Sequence, residues 1–596
     1  MITPADWRTP LALAQVDLQA QRHDPALRRL LPLIEAGCEA LEVLGTAATL
    51  LEREGRLDEA LRVLALAERQ HPQHIGVALG IARVQAQRGQ LDAARAQLAT
   101  VLQREPQNVD ALYNLGNVLQ LSGQREAAIE AYRAVLPLHA EYARLALIEI
   151  ARQQQALHDF DGARISFLQL GMVSPGELNP IGYRLCNEHY VWPSQAQAIA
   201  QQARALGAQY ASQLPSAPTP AAAPRPAQQP LRIGLVSADL REHPVGWFLS
   251  SLLRSQAARE LDFIAYSNRR PRAQNSPLGT RLRAHMRQWH DVADWSDARL
   301  AQQVRDDGID VLIDLSGYTD GHRLPAFATR PAPLQLSWLG YYGSTGLPFV
   351  DAVIADAICV PDHEDALFTE ALLKLPQTRF CYTAPDDAPH VAPAPALRRG
   401  HITFGCFQQG SKISDVTLRS WARIAAAAPR ARWRIQSQGL GGSDAARLRQ
   451  RCIAAGLDPA RVEMHGEQTH RDYLAAHAEV DVVLDTFPYT GGTTTAEALW
   501  MGVPTLTLSL PGMLGRQGEQ ILRASGLPQW VTYSEDEYVS LAVACAGASP
   551  AAPLGLDRAS LRESLRSSAF FDAEAFGRHW VNAVSRAWRQ RTTDIR

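Results

Sequence analysis

A 34-residue repeat constrains the N-terminal part of this chain more than any other feature of the sequence. Two sets of small residues recur with that spacing: Gly55, Gly89 and Gly123, and Ala26, Ala60, Ala94 and Ala128. Glycine lets the chain turn between two helices, and a small alanine lets those helices pack closely. Because the surrounding residues are mostly Ala, Leu, Gln and Arg, which are good helix formers, the pattern predicts a row of stacked helical hairpins.

The repeat resembles the tetratricopeptide repeat, a helix-turn-helix unit of the same length. Its clearest copy lies between Leu112 and Tyr132. A later copy, at 158–167, has slipped by one residue, as the position of Ala163 shows. We assign residues 1–213 to these repeats and expect an α-helical superhelix whose concave surface suits a protein or peptide.

Residues 214–230 separate the repeats from a region of different pattern. Six prolines occur in this stretch, so no packed core forms there and we predict a stiff, extended linker. After it, short apolar runs rich in β-formers alternate with helical stretches. The predicted strands are 231–237, 261–266, 309–315, 401–407, 432–437, 462–465, 480–485 and 505–508.

Near-continuous apolar strands separated by helices are typical of parallel sheets covered on both faces. We therefore predict two doubly wound, Rossmann-like α/β lobes that face one another across a cleft. A polar, proline-containing stretch divides the lobes into residues 231–395 and 396–575. We expect the last segment, 576–596, to be a helix that packs back on the first lobe.

Composition excludes several classes of protein. The net charge of −2 argues against a surface for nucleic acid. The seven cysteines are scattered and never form Cys-x-x-Cys, which indicates reduced thiols in the cytosol. The sequence begins without a signal-peptide pattern and has no apolar run near the roughly 18–20 residues of a membrane span. We expect a cytoplasmic protein with no membrane partner, no metal and no cofactor, since no His/Asp/Glu cluster has the spacing of metal ligands.

The most informative stretch follows the predicted strand 480–485. A loop with Gly491 and Gly492 leads into Thr493, Thr494 and Thr495, which open a helix. Exposed N–H groups at a helix start, with hydroxyls beside them, suit a pyrophosphate, and Glu497 one turn later suits ribose hydroxyls. A purely structural alternative is that Thr494 and Glu497 form a capping box.

A second candidate follows the predicted strand 401–407. A small turn, Gly410-Ser411, places Lys412 at the end of a strand, where it can hold a phosphate. The alternative is a solvated loop lysine. Because both stretches end strands of one sheet, together they favour a nucleotide diphosphate.

The first lobe contributes candidates for the acceptor side. His243 follows the first strand, and its pKa near neutrality makes it a candidate general base; the alternative is a turn histidine before a proline. Glycine-rich loops at 316–321 and 338–346 end other strands, and their glycines would let backbone approach a ligand. The candidate residues for the sugar and the acceptor are Tyr318, Thr319, Tyr342 and Gly343.

In this order, these motifs resemble the O-GlcNAc transferases of glycosyltransferase family 41, over essentially the whole chain. The stretches that carry the resemblance are VSADLREHPVGWF, LIDLSGYTDGHR, RPAPLQLSWLGYYGSTG, FGCFQQGSKISD and LDTFPYTGGTTTAEALWMGVP. The resemblance implies a GT-B fold and an inverting transfer of N-acetylglucosamine from UDP-GlcNAc. The implied acceptors are serine and threonine hydroxyls of proteins or peptides.

The resemblance also implies roles for single residues. Diphosphate contacts fall on Gln409 and Lys412, and Lys412 stabilises the leaving group. The phosphate-binding threonines fall on Thr493 and Thr494. Glu497 takes the place of a ribose-binding aspartate. His243 takes the place of a histidine proposed as the base.

The chain departs from the animal members of that family in several places. Tyr473 and Gly492 stand where animal enzymes have nucleotide- and diphosphate-contacting histidines. The large domain inserted between the lobes is missing. The repeats are few, and of the positions matching the asparagine ladder (Thr46, Gly80 and Asn114) only one is asparagine.

Alternatives therefore stay open at this point. The DTFPY segment is also similar to plant SPINDLY-type enzymes, which use GDP-fucose. The base is either His243, an unassigned residue, or a phosphate oxygen of the donor. The chain also fits a nucleotide-sugar-binding scaffold without activity, or a transferase acting on a small molecule or glycan.

Overall fold

The computed structural model describes residues 7–19, 22–215, 218, 220, 229–269, 276–437, 439–547 and 557–593. The helices of four or more residues are α1 Arg8–Gln19, α2 His23–Glu35, α3 Leu41–Arg53, α4 Leu57–Gln70, α5 Ile75–Gln87, α6 Leu91–Arg104, α7 Val109–Leu121, α8 Arg125–Val135, α9 Ala140–Ala156, α10 Phe160–Val173, α11 Asn179–Glu188, α12 Ala196–Ser212, α13 Pro244–Arg254, α14 Pro277–Ala284, α15 Asp297–Asp306, α16 Leu324–Phe327, α17 Ala396–Arg399, α18 Asp415–Ala427, α19 Gly442–Ala454, α20 His470–Ala475, α21 Thr493–Trp500, α22 Gln517–Ala524, α23 Glu535–Gly547, α24 Arg558–Arg566 and α25 Ala573–Thr593.

The strands are β1 Arg232–Ser237, β2 Asp262–Ser267, β3 Gln288–Asp291, β4 Val311–Asp314, β5 Leu334–Ser337, β6 Ala352–Asp356, β7 Ala371–Leu375, β8 Thr403–Cys406, β9 Arg432–Gln436, β10 Val462–His465, β11 Val482–Leu484, β12 Thr505–Leu508 and β13 Val531–Thr532. The chain divides into two compact units, Met1–Val173 and Ser174–Arg596.

The first unit is a row of helical hairpins in which each odd-numbered helix from α1 to α9 packs on the next helix. The repeat glycines Gly55, Gly89 and Gly123 follow α3, α5 and α7 with φ of 70°, 75° and 72°, a left-handed conformation that favours glycine. His158 takes the same place after α9 with φ of 62°, which fits the one-residue slip of that copy. The predicted helical repeats are confirmed.

Helices α11 and α12 belong to the second unit, so the first compact unit ends at Val173, whereas we expected the repeats to extend to residue 213. Gly207 of α12 lies directly against Gly346 in the first lobe, where a Cβ atom on either glycine would collide with the backbone of the other segment. Helix propensity alone does not reveal which core a helix joins. The linker predicted at 214–230 falls mostly outside the described residues.

Two parallel sheets form the body of the second unit. Their strand orders are β3-β2-β1-β4-β5-β6-β7 and β10-β9-β8-β11-β12-β13. In each sheet the winding reverses next to its first strand, between β1 and β4 and between β8 and β11. The two doubly wound lobes are therefore confirmed. The strands β3, β5, β6, β7 and β13 were not predicted.

The C-terminal helix α25 starts at Ala573 and packs against α13 and β7 of the first lobe. Trp580 anchors it, with ring centroids 5.4 Å from Trp338 and 6.4 Å from Phe263. No helix in the described ranges combines the length and apolar character needed to cross a bilayer.

Candidate functional site

The candidate site lies in the second lobe, where the winding of its sheet reverses. The carboxyl ends of β8 and β11 are neighbours there, and the loops 407–412 and 485–492 follow them. Open α/β sheets bind ligands in the crevice at such a reversal. The structure thus brings the two candidate stretches of the second lobe together.

Helix α21 begins at Thr493, directly after the two glycines of the loop. Gly492 is its N-cap, and no described side chain caps its first turn. The capping box considered for Thr494 and Glu497 is not formed, because Thr494 lies inside the helix. The free N–H groups of this helix start carry partial positive charge and suit an anion.

Two threonine hydroxyls lie at this helix start. Among the described residues, neither Thr493 Oγ1 nor Thr495 Oγ1 makes a hydrogen bond, although both atoms are buried. Buried polar atoms are nearly always paired, so these two indicate a partner that arrives with a ligand. Gly491 must be small, since a Cβ atom there would lie 2.7 Å from the hydroxyls of Thr494 and Thr495.

Gln408, one residue before the predicted Gln409, is the glutamine that faces this loop. Its side chain is 2% exposed and donates to Thr494 Oγ1 (2.7 Å) and to Asp485 Oδ1 (3.2 Å). The side chain of Gln409 is exposed to solvent. The sequence shows two adjacent glutamines after β8, and nothing in the pattern indicates which of them faces the loop.

Lys412 lies beside the loop that leads to the helix start. Its ammonium is 4.1 Å from the centroid of the Tyr489 ring, and no carboxylate of a described residue forms an ion pair with it. Burial lowers the pKa of Lys412 to about 8, although the charge of Asp485 opposes this shift. At neutral pH the site therefore holds an ammonium that forms no ion pair with a carboxylate of the described residues, although the charge of Asp485 is near enough to act on it.

The sequence reasoning missed two tyrosines near Lys412: Tyr489, which lies against it, and Tyr190, which packs on Tyr489. The Tyr489 hydroxyl donates to the Tyr342 hydroxyl of the first lobe at 2.7 Å. Tyr190, which follows α11, has its ring centroid 4.8 Å from that of Tyr489. They were missed because Tyr190 was assigned to the repeats and because tyrosines in loops carry no distinctive spacing.

Asp485 ties the loop after β11 to the sheet. Its carboxylate is buried and accepts hydrogen bonds from Thr507 Oγ1 (2.8 Å) and from the N–H groups of Gly491 (2.8 Å) and Thr486 (2.9 Å). Burial raises its pKa to about 6, against the effect of these hydrogen bonds and of Lys412. Its role in the loop is to hold the backbone in place.

Glu497 is 4% exposed and paired within the second lobe. Its Oε1 lies 2.7 Å from His470 Nε2. Burial alone would lower the pKa of His470, but the hydrogen bond and charge of Glu497 outweigh it and raise that pKa. Burial, with the charge of Glu497, raises the pKa of the neighbouring Tyr473 well above its usual range. That Glu497 and Tyr473 bind the nucleoside stays a prediction.

His243 is the N-cap of α13 in the first lobe. Its Nδ1 accepts a hydrogen bond from the Val245 N–H at 3.4 Å and is 3.7 Å from Asp239 Oδ2. Burial lowers the pKa of His243, so the ring is neutral at pH 7. In a neutral ring whose Nδ1 accepts, Nε2 carries the proton and donates.

The other first-lobe candidates separate into two pairs. The Tyr318 hydroxyl is buried and donates to Thr345 O (2.6 Å), and Thr319 Oγ1 donates to Ser316 O (2.7 Å), so both hydroxyls are used inside the lobe. Tyr342 and Gly343 line a pocket together with second-lobe residues. The structure thus places the second pair between the lobes, whereas the hydroxyls of the first pair are bonded within the first lobe.

Positive charge at the candidate site comes from Lys412 and the start of α21. In the part of the chain that is described, no group of three or more His, Cys, Asp or Glu side chains could hold a metal ion. Fixed positive charge and free donors of this kind can bind a phosphate and stabilise negative charge that grows on it.

Comparisons with known proteins agree with this architecture. The profile of glycosyl transferase family 41 matches residues 192–395 and 392–579, and tetratricopeptide repeat profiles match 51–103 and 109–138. In structure, the chain is similar to the Thermobaculum terrenum O-GlcNAc transferase, with a TM-score of 0.76 and 32% identity, over 88% of this chain and 98% of that one.

Two plant proteins illustrate the sequence relatives. The tomato protein named probable UDP-N-acetylglucosamine–peptide N-acetylglucosaminyltransferase SPINDLY is 33% identical over 369 residues, which is 61% of this chain and 39% of that protein. The Arabidopsis thaliana protein named probable UDP-N-acetylglucosamine–peptide N-acetylglucosaminyltransferase SEC is 29% identical over 376 residues. The match covers 60% of this chain and 36% of that protein. The matched region thus covers less than half of these curated relatives.

Proposed function

Because the chain belongs to glycosyl transferase family 41, we propose that it transfers N-acetylglucosamine from UDP-GlcNAc to serine or threonine hydroxyls of proteins, with inversion at the anomeric carbon. The observation that carries the proposal is that Lys412 and the uncapped start of α21 both adjoin the loop 485–492 at the reversal of the second sheet. The names of the relatives and of the solved structure support the choice of donor and acceptor.

A nucleoside diphosphate is the ligand that best matches the second-lobe site. Its phosphates need several donors and a positive charge, and Thr493, Thr495 and the helix start offer unpaired donors there. Lys412 adds the charge, and although the charge of the nearby Asp485 raises its pKa, no carboxylate of a described residue forms an ion pair with it. Binding a phosphate next to Lys412 raises the pKa of its ammonium and keeps it charged through the reaction.

In the proposed step, the acceptor hydroxyl oxygen forms a bond to the anomeric carbon while the bond from that carbon to the diphosphate oxygen breaks. The bonding electrons leave with the diphosphate. Lys412 and the start of α21 stabilise the charge that grows there, which is usually the largest catalytic effect. The same positive charge leads us to propose that no divalent metal is needed. Turnover that is lost with a chelator and restored by Mg²⁺ or Mn²⁺ would contradict this.

We propose that the proton of the acceptor hydroxyl ends on an oxygen of the leaving diphosphate, directly or through water. The hydrogen bond from Val245 makes Nε2 of His243 a donor, which argues against that ring as the base. In His243→Ala, the fall in rate toward acidic pH should be the same as in the wild-type protein. Disappearance of that fall in the variant would assign proton removal to His243.

Calorimetric titration of the purified protein with UDP, GDP, UDP-GlcNAc and GDP-fucose tests the donor. We expect selective binding of UDP and UDP-GlcNAc, weakened in Lys412→Met. Selective binding of GDP and GDP-fucose would move the protein to a fucosyl donor. Absence of binding to all four would remove the proposed function.

The acceptor needs a separate test. Incubation of UDP-GlcNAc with a library of serine- and threonine-containing peptides, followed by mass spectrometry, should yield a mass gain of one N-acetylhexosamine. Hydrolysis of the donor without any peptide product would point instead to a small-molecule or glycan acceptor. Binding without hydrolysis would indicate a scaffold that has lost transferase activity.

A further inference from the structure

A side-chain amide lies beside the start of α21, where residue 492 has no side chain of its own. Gln517, the first residue of α22, is half-buried there. A Cβ atom on Gly492 would lie 2.9 Å from Gln517 Nε2, 3.4 Å from Cδ and 3.8 Å from Oε1. The amide therefore lies in the space that a side chain at residue 492 would fill.

The orientation of this amide follows from its neighbour Arg379. Nη2 of Arg379 donates to Gln517 Oε1 at 3.1 Å. A guanidinium has only donors, so the oxygen of the amide must face Arg379 and the –NH₂ group must face the other way. Among the described residues, Nε2 of Gln517 has no hydrogen-bond partner, and Gly492 is its neighbour.

Arg379 is itself held firmly in the first lobe. It is 1% exposed, its N–H donates to Asp356 Oδ2 (2.7 Å), and its carbonyl accepts from Trp338 Nε1 (2.8 Å). Nε and Nη1 of its guanidinium have no partner within the described ranges. This buried positive charge lies directly behind the amide and polarises its N–H groups toward the helix start.

We propose that Gln517, oriented by Arg379, donates a hydrogen bond to the diphosphate of the nucleotide-sugar donor at Gly492–Thr493. The proposal rests on the proposed function and adds a residue to its site. Gln517 is then a binding residue, and Arg379 is a positioning residue that acts through it. Because the two residues belong to different lobes, the hydrogen bond also couples phosphate binding to the arrangement of the lobes.

The isosteric change Gln517→Glu separates a ligand contact from a packing role. A carboxylate beside Arg379 gains an ion pair but loses the donor and repels a diphosphate. A contact role predicts that Gln517→Ala weakens UDP binding about tenfold and that Gln517→Glu weakens it about a hundredfold, since one hydrogen bond to a charged group is lost and a like charge is added. A packing role predicts normal UDP binding and an equal or higher unfolding temperature in Gln517→Glu.

Calorimetry with UDP, paired with thermal unfolding of the same samples, decides between these outcomes. Wild-type affinity in Gln517→Glu would overturn the inference. If the wild-type protein binds GDP and not UDP, the same series is run with GDP and is read in the same way. Failure of the wild-type protein to bind either nucleotide would instead remove the proposed function, so the two failures are distinguishable.

Two double-variant cycles test the geometry. Gly492→Ala should displace the amide of Gln517, because the new Cβ atom contacts Nε2. It should therefore weaken UDP binding when Gln517 is present and have no further effect in Gln517→Ala. Arg379→Met should weaken binding when Gln517 is present and change nothing further in Gln517→Ala. Additive losses in both cycles would contradict the proposed arrangement. If Arg379→Met does not fold, the Gln517→Glu result still decides the proposal.

Discussion

Asp314 in the first lobe and Asp485 in the second occupy equivalent places in their sheets. Asp314 is the last residue of β4, and Asp485 directly follows β11; each of these is the fourth strand of its lobe in chain order. Both side chains are fully buried. Each accepts hydrogen bonds from N–H groups of its own loop and from a hydroxyl on the next strand, Ser337 (3.0 Å) or Thr507 (2.8 Å). Burial raises the pKa of both carboxyls to about 6.

The lobes differ in what surrounds this shared aspartate. In the second lobe, Lys412 lies against the loop after β11, and two threonine hydroxyls at the start of α21 have no hydrogen-bond partner among the described residues. In the first lobe, the hydroxyls of Tyr318 and Thr319 are already used by neighbouring carbonyls. The comparison teaches that the doubly wound scaffold alone does not supply a cation and donors without partners. In the phosphate site that we propose, these come from the side chains that the second lobe adds to the scaffold.

The largest expected effect comes from removing that cation. Lys412→Met should lower turnover of the donor by about 10²- to 10³-fold, because charge on the leaving diphosphate is no longer stabilised. The matched control is Lys374→Met, since Lys374 is the only other lysine and pairs with Asp362 and Asp365. Steady-state rates of UDP release measure both variants. Near-normal turnover in Lys412→Met would contradict the claim that this cation distinguishes the second lobe from the first.

The pH dependence of the same reaction should report the Lys412 ammonium. Its pKa in the free protein is lowered to about 8, so the charged form is present below that pH and is lost above it. We expect kcat/KM for the donor to fall about tenfold for each pH unit above the pKa. A rate profile that stays flat to pH 10 would show that the charge of Lys412 is not required.

The two adjacent glutamines should differ in effect. Gln408→Ala removes the hydrogen bonds to Thr494 and Asp485 and should weaken donor binding about tenfold. Gln409→Ala alters an exposed side chain, and we expect a change of about twofold or less. Calorimetric titration with UDP measures both. Equal effects, or a larger effect at Gln409, would mean that the ligand-bound loop differs from the one described.

The smallest expected effects come from the hydroxyls that bind the shared aspartates, where stability and UDP binding should respond differently in the two lobes. Ser337→Ala and Thr507→Val each remove one hydrogen bond to a buried aspartate, so each should cost about 1 kcal/mol of stability. Only Thr507→Val should also weaken UDP binding, by roughly twofold to fivefold, because Asp485 holds the loop that leads to Thr493. Thermal unfolding and calorimetric titration with UDP on the same samples measure both quantities. Weaker UDP binding in Ser337→Ala would contradict the difference between the lobes.

Much of the fold was predictable from local patterns. The spacing of Gly55, Gly89 and Gly123 predicted the hairpins, because only glycine readily adopts the left-handed turn after each first helix. Apolar runs predicted eight strands of the parallel sheets. That the loops with Lys412 and Thr493 lie at one edge of the sheet was also predicted, since the carboxyl ends of neighbouring parallel strands share that edge.

Other features of the site were not predictable by the same reasoning. Gln408 and Gln409 are neighbours of one type, and the direction of each side chain depends on how the loop packs on Asp485. Helices α11 and α12 look like the repeats before them. They nevertheless pack on the first lobe, α11 with Gly182 against Tyr318 and α12 with Gly207 against Gly346.

The sequence by itself determined the elements of this protein, their order and the residue types at the strand ends, because backbone preferences and hydrophobic periodicity act over short distances along the chain. Only the tertiary structure decided which side chains share a site. Arg379 and Gln517 are 138 residues apart and lie in different lobes, yet one hydrogen bond sets the direction of the amide beside Gly492. Contacts of that kind depend on how the two lobes pack together, which no local pattern in the sequence records.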